Sequence, residues 1–401
     1  MNLLIKNIKQ LVTVPAHGKR FKAGQDMRDL GIIENATVLI ENGKFLWIGR
    51  DGDFLQSVSP DIDVIDAANA VALPGFVDSH THTVFAEIES LDASYENNLL
   101  QTVQATRDAA KKDLKKSARH HLDAMLRAGT TTVEIKSGYG LNERDEIKMM
   151  DTINELKNEH FIDIVPTFFG AHAIPPEYVS QPDAYIDFLC TRLLPYLSQR
   201  KIASFCDVSC QRGYFSLEQS KKLLLAAQAL GIGSKIHADQ FSAIGASKLA
   251  GELLAVSADH LDKIDDAGIQ ALNQSSVVAT VLPGVSFFLN YGYPPARKII
   301  DAGVPLALAS NFNPCSCMSH SIPMMMTIAC TQMLLTPEEA ITAATLNGAA
   351  ALNLSKQLGS IELGKQADMV LYQIPNYRYL IDHFGTNFVW KIIKRGVHLE
   401  F

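Results

Sequence analysis

Val71-Ala72-Leu73-Pro74-Gly75-Phe76-Val77-Asp78-Ser79-His80-Thr81-His82 is the stretch whose reading decides the fold. An apolar run of strand length ends in two histidines separated by one residue. Residues i and i+2 of a strand point to the same side. At the tip of a buried strand both imidazoles can therefore reach one cation. Divalent metals such as zinc accept such nitrogen ligands, and catalytic sites keep one position open for water. A bare His-x-His fits two surface histidines at a strand end equally well, so the rest of the chain has to separate the two readings.

Downstream, apolar runs of strand length recur: Phe76–His80, Thr131–Ile135, Ile162–Phe168, Ser204–Ser209, Ser234–His237, Leu254–Asp259, Val277–Leu282 and Pro305–Ala309. Most are separated by helical stretches. In one, Thr336-Pro337-Glu338-Glu339 offers an N-cap, a first-turn proline and acidic residues at the positive end of the helix dipole. The run Ala340–Leu354 that follows is rich in strong helix formers. Eight strands alternating with helices point to a parallel α/β fold, and the count favours a (β/α)8 TIM barrel over an open sheet.

The two ends differ from this middle. Ala36–Ile40 and Phe45–Gly49 flank Asn42-Gly43, a dipeptide that tolerates positive φ, and read as a hairpin. Ala367–Tyr372 and Phe388–Ile393 are strand-like near the C-terminus. The expected organisation is a barrel over residues 71–355. Residues 1–70 and 356–401 together make a small β-sandwich-like domain from both termini.

In such a barrel the chemistry sits at the C-terminal strand ends. There the chain carries His80 and His82, Glu134-Ile135-Lys136-Ser137-Gly138-Tyr139-Gly140, His172, His237-Ala238-Asp239-Gln240, Asp259-His260, and Asn311-Phe312-Asn313. Five of twelve histidines fall at these ends, more than chance placement explains.

Composition narrows the function classes. With 401 residues, 47% hydrophobic, the chain can bury a large core. A net charge of −7 without a basic run argues against a nucleic-acid partner. Lys111–Lys116, interrupted by Asp113 and Leu114, reads as a solvated helix face. No run approaches the ~18 apolar residues of a membrane span, and Met1–Lys6 lacks a signal-peptide core. Six dispersed cysteines fit reduced thiols and a cytoplasmic location. Cys315-x-Cys317 lacks the second pair of a structural zinc site and reads as core or loop.

Pro74–His82 and the closing Gly359-Ser360-Ile361-Glu362-Leu363-Gly364-Lys365-Gln366-Ala367-Asp368 resemble the metal-dependent amidohydrolase superfamily. Glu134–Leu141, Phe169–Tyr178, Lys235–Gln240 and Phe312-Asn313-Pro314 are similar to its imidazolonepropionase branch, over nearly the whole chain. The resemblance implies hydrolysis of the ring amide of 4-imidazolone-5-propanoate to N-formimidoyl-L-glutamate, in histidine degradation, with one zinc or iron. It implies His80, His82, His237 and Asn311 as metal ligands. Tyr139, His172, Gln240, Asn313, Cys315 and Ser316 fall on substrate-contacting positions. His260 falls on a catalytic histidine, with Gln240 and Asn311 beside it in the chemistry. A homodimer is likewise implied.

The chain departs from that family at four places. Asn311 stands where the family has aspartate, and a neutral amide cannot accept a proton. The stretch between His82 and Thr106-Arg107 is shortened, without the family's carboxylate-binding arginine and a glycine-rich segment. Cys315 replaces a glycine, and Gln211 replaces an acid. These changes leave two alternatives to the main reading: a catalytically impaired paralogue that binds metal or ligand, or an amidohydrolase acting on a different cyclic amide. A metal-free binding protein is a reading from another class, and one bound equivalent of metal would exclude it.

Overall fold

All eight apolar runs form parallel strands: β1 (Phe76–Asp78), β2 (Thr130–Lys136), β3 (Asp163–Ala171), β4 (Phe205–Cys210), β5 (Gly233–Ala238), β6 (Ser257–His260), β7 (Val278–Val281) and β8 (Leu306–Leu308). The computed structural model describes residues 2–55, 62–88 and 95–400. The strands pair in chain order from β1 to β8. Every strand residue except Asp163 and Gly233 is buried, as a parallel sheet packed on both faces requires. β6 begins three residues later than its apolar run, because Leu254 (φ 50°) closes a turn after the preceding helix.

The seam between β1 and β8 is closed by the segments just past the strands. Asp78 accepts from the Ser310 amide at 3.0 Å and from its hydroxyl at 2.5 Å. Asn311 N donates to His80 O at 3.0 Å, and His82 N donates to Phe312 O at 2.7 Å. The bonds that close the barrel thus set the two histidines of the first strand beside Asn311.

The terminal segments build a second eight-stranded sheet. Its hairpin joins Ile33–Glu41 to Lys44–Arg50 through Asn42 (φ 51°) and Gly43 (φ 75°), the positive angles a tight turn requires. Asn2–Leu11 pairs with Asp63–Asp66 along its first half and with Val71-Ala72 along its second. Met369–Tyr372 and Val389–Lys394 complete the composite from the C-terminal side. Val71–Pro74, grouped with the barrel in the sequence, is hydrogen-bonded here, and the chain passes between the sheets at Gly75. A Cβ at Gly75 would lie 2.2 Å from Thr131 Oγ1, so only glycine fits the crossing.

Lys111 and Lys115, on the helix Lys111–Arg127, pair with Glu155 and, for Lys115, Glu159. The basic patch is a helix face in contact with acidic neighbours. Thr336 and Glu339 form the anticipated capping box, but the helical run is broken at Thr345 into Pro337–Ala344 and Leu346–Ala350. The break accompanies a buried clamp. Asn347 Nδ2 donates to Lys22 O (2.8 Å) and Leu306 O (2.9 Å), and its Oδ1 accepts from Lys22 N (2.9 Å). Asn347→Leu strands these backbone groups in the interior. It is expected to lower stability by about 2–4 kcal/mol, read from the urea midpoint at unchanged m-value.

Candidate metal and active site

Five charged side chains fill the barrel interior beneath the strand ends. Lys136 Nζ lies 2.7 Å from Asp207, 3.0 Å from Glu134 and 3.5 Å from Asp259. Lys235 Nζ lies 2.6 Å from Glu134 and 3.6 Å from Asp259, and donates to Ser79 O at 2.9 Å. All five are fully buried. Burial alone would lower the Lys136 pKa, but Asp207, Glu134 and Asp259 raise it above its ordinary range. Burial alone would push Asp259 up, but Lys235 and Lys136 hold it below the usual carboxylate value. Three carboxylates face the two ammonium groups; burial pushes Asp207 up, while Asp259 keeps its negative charge.

That charge lies under the histidines. His80 Nδ1 lies 2.7 Å from Asp259 Oδ2, and His237 Nδ1 lies 2.9 Å from Asp207 Oδ2. His80, His82 and His237 each bring a ligand atom within 4.8 Å of the others. Burial first, and then neighbouring positive charge, holds all three imidazole pKa values well below the ordinary value. They are neutral, the form that binds a metal.

The donor set fits a divalent cation. His80 Nε2, His82 Nδ1 and Asn311 Oδ1 are buried and without a hydrogen-bond partner, an arrangement that is costly unless something else satisfies them. Asn311 Nδ2 donates to Ser316 Oγ at 3.1 Å, which leaves the amide oxygen free and able to ligate. The carboxylate–histidine pairs below are the outer contacts that orient metal-binding imidazoles.

His82, His172, His237, Gln240, His260, Asn311 and Asn313 line one cavity. Its free space of about 10 Å3 holds roughly one water. Phe169 stacks on both His237 (4.2 Å) and His172 (4.5 Å). His172 Nδ1 donates to Gly138 O at 3.0 Å, which leaves Nε2 for the cavity. Burial lowers His260 to about 3.

Tyr139, Cys315 and Ser316 stand in the wall behind that lining. The loop bearing Tyr139 wraps a buried carboxylate: Glu146 Oε1 accepts from Gly138, Gly140 and Leu141 amides at 3.2, 2.8 and 3.0 Å. The wrap needs glycine at Gly138 (φ 107°). Tyr139 packs edge-on to His172 at 5.2 Å, with its hydroxyl unpartnered. Cys315 Sγ lies 3.8 Å from Thr102 Oγ1.

Gln211, named in the sequence as a departure from the family, also lines the cavity, with three residues not singled out there, Tyr95, Ser209 and Tyr214. Ser209, near the end of β4, carried the same strand-end signal as the others. Tyr95 and Tyr214 carried none, because they lie in connecting segments that only the fold folds back. Asp207, a carboxylate inside an apolar strand, was a legible anomaly. Part of the shortened stretch after His82, residues 89–94, lies outside the described residues. Arg107, a distant arginine in the stretch that follows, has its guanidinium engaged elsewhere. It donates to Gly140 O (2.7 Å) and pairs with Glu177 (2.6 Å).

A larger cavity of about 560 Å3 opens at the opposite end of the barrel. Its Asp163 is paired with Lys394 and Arg395, and it holds none of the clustered histidines.

Comparison with known proteins agrees with this geometry. Amidohydrolase family models match residues 216–394 and 63–158. The imidazolonepropionase of Parabacteroides distasonis is 42% identical over 98% of this chain and 98% of the relative. That of Phocaeicola vulgatus is 45% identical over 98% of each. Among solved structures, a triazine hydrolase variant superposes with a TM-score of 0.80 at 17% identity, covering 99% of this chain and 94% of that one. A zinc-bound adenosine deaminase from Xanthomonas campestris gives 0.75 at 18%, covering 99% and 92%. At these identities the structures speak for the barrel fold.

Asp259→Asn weakens the partner that orients His80 and removes the negative charge beneath it. Metal affinity is expected to fall about 10–100-fold, measured by competition with a chromophoric chelator. Unchanged affinity would assign Asp259 to the fold alone.

Proposed function

We propose that this chain, which belongs to the imidazolonepropionase family of amidohydrolases, hydrolyses the ring amide of 4-imidazolone-5-propanoate to N-formimidoyl-L-glutamate. The observation that carries this reading is the meeting of His80, His82 and His237 around one point, with Asn311, His172, Gln240 and His260 lining the adjoining cavity. Full-length relatives at 42–45% identity that bear the imidazolonepropionase name support it.

His80, His82, His237 and Asn311 would hold the metal, zinc or iron, both of which imidazole ligands suit. Bound there, a divalent cation lowers the pKa of water and polarises a carbonyl. The residues supply the rest. His260, neutral through burial, accepts the proton of the attacking water and returns it to the ring nitrogen as the C–N bond breaks. The oxygen of that water ends on the acyl carbon as a carboxylate. Tyr139, His172, Gln240 and Asn313 offer hydrogen bonds to a flat heterocycle and its propanoate tail. Cys315 adds a side chain to the wall beside Tyr139. Six free thiols fit a reducing, cytoplasmic compartment.

Freshly prepared 4-imidazolone-5-propanoate is expected to lose its ultraviolet absorbance faster with the zinc- or iron-loaded protein than without it. Decay at the control rate with metal bound would refute the assignment. A second test follows from Asn311. Losing a positioned base typically removes about 10²–10⁴ in rate, so Asn311→Asp is expected to raise kcat by at least ~10-fold. No gain in a metal-loaded variant would mean that a defect other than the missing carboxylate limits turnover.

A further inference from the structure

Asp262 has no role in the cluster described above, yet its side chain is almost fully buried, two residues beyond His260. A buried carboxyl needs partners. Its Oδ1 has one, the Ser286 hydroxyl at 3.0 Å. Its Oδ2 points to His260 Nδ1, 3.9 Å away. That nitrogen is itself buried and without a hydrogen bond. Asp262 caps no helix either, because Asp265 caps the one that follows.

The backbone between the two residues is unusual. His260 (φ 81°) and Leu261 (φ 66°) both occupy the left-handed region, where non-glycine residues are strained. Leu261 N donates to Ala238 O at 3.0 Å, and Lys263 N to Asp239 O at 2.7 Å. These bonds to the end of β5 hold the turn, and the turn brings the Asp262 carboxyl round to the Nδ1 edge of the imidazole. The opposite ring nitrogen, Nε2, is the one left for the cavity that His260 lines.

We propose that Asp262 is a positioning residue that fixes His260 with Nδ1 protonated and Nε2 unprotonated, so that His260 serves as the base that Asn311 cannot be. The inference rests on the hydrolytic reading above. At 3.9 Å the pair is too long for a hydrogen bond. Such contacts tighten when the site is loaded. Burial pushes the Asp262 carboxyl up to about 7, with the Ser286 hydroxyl opposing the rise; in its ionised form it accepts Nδ1–H and stabilises the imidazolium formed when Nε2 takes the proton from water.

The test is a double-mutant cycle in the metal-loaded full chain. Asp262→Leu is expected to lower kcat about 10–100-fold, with KM within about threefold and metal content unchanged. In the Asn311→Asp background, where an aspartate is restored, the same change is expected to cost less than about threefold. Asp262→Asn, whose amide oxygen still accepts from Nδ1–H, is expected to recover part of the loss. Equal losses in both backgrounds, or loss through KM or metal content alone, would overturn the proposal.

A readout independent of turnover separates its failure from that of the hydrolytic reading. The ring ¹⁵N resonances of His260 in the zinc-loaded protein, assigned by their absence in His260→Gln, are expected to report the Nδ1–H tautomer. Asp262→Leu should lose that preference and Asp262→Asn should keep it. That pattern in a protein inert towards imidazolone-propanoate would support the positioning role while removing the substrate assignment. The same tautomer in wild type and Asp262→Leu would refute the positioning role.

Discussion

Lys136 and Lys235, wedged among Glu134, Asp207 and Asp259, are the constraint from which the rest of the site follows. None of the five reaches water. Removing one partner from such a cluster typically costs about 3–5 kcal/mol, because it leaves a buried charge uncompensated. A hydrophobic filling of the barrel would serve stability at least as well. What the charges add is orientation and sign. Asp259 fixes which edge His80 presents upward, and the carboxylates beneath the histidines favour a cation above them. The same burial keeps the imidazoles neutral and ready to ligate.

A second set of bonds carries that constraint to the rim. Asp78–Ser310 and the backbone pairs between His80–His82 and Asn311–Phe312 close the seam, so barrel closure and assembly of the ligand set are one event. On the far side, Glu146 gathers the amides of the loop bearing Tyr139. Gly138 of that loop then accepts from His172. Arg107 is consumed in bracing this loop from outside. Tyr95, Gln211 and Tyr214, all uncharged, complete the lining of the cavity.

In the proposed mechanism Asn311 and Asp262 divide the work of the site. The amide past β8 offers an oxygen and no base. A carboxyl absent from the site's expected machinery sits behind His260, at the end of β6. A buried acid with a single hydroxyl partner is hard to account for by packing alone, and its direction towards an unpartnered ring nitrogen gives it a use.

The sequence alone determined the eight strands, their parallel order, the composite origin of the second sheet, and which histidines stand at strand ends. These follow from local pattern: apolar runs of fixed period, turn dipeptides such as Asn42-Gly43, and the placement of polar residues at strand tips. Tertiary structure alone decided the rest. It set the passage of Val71–Pro74 into the terminal sheet, the break at Thr345 and the commitment of Arg107 to Glu177. It also folded Tyr95 and Tyr214 over the cavity and turned Asp262 towards His260. Each depends on which side chains meet across a barrel closed by contacts more than two hundred residues apart. Side-chain direction across such distances is fixed by packing and by the satisfaction of buried charge. Neither is a property of any window of sequence.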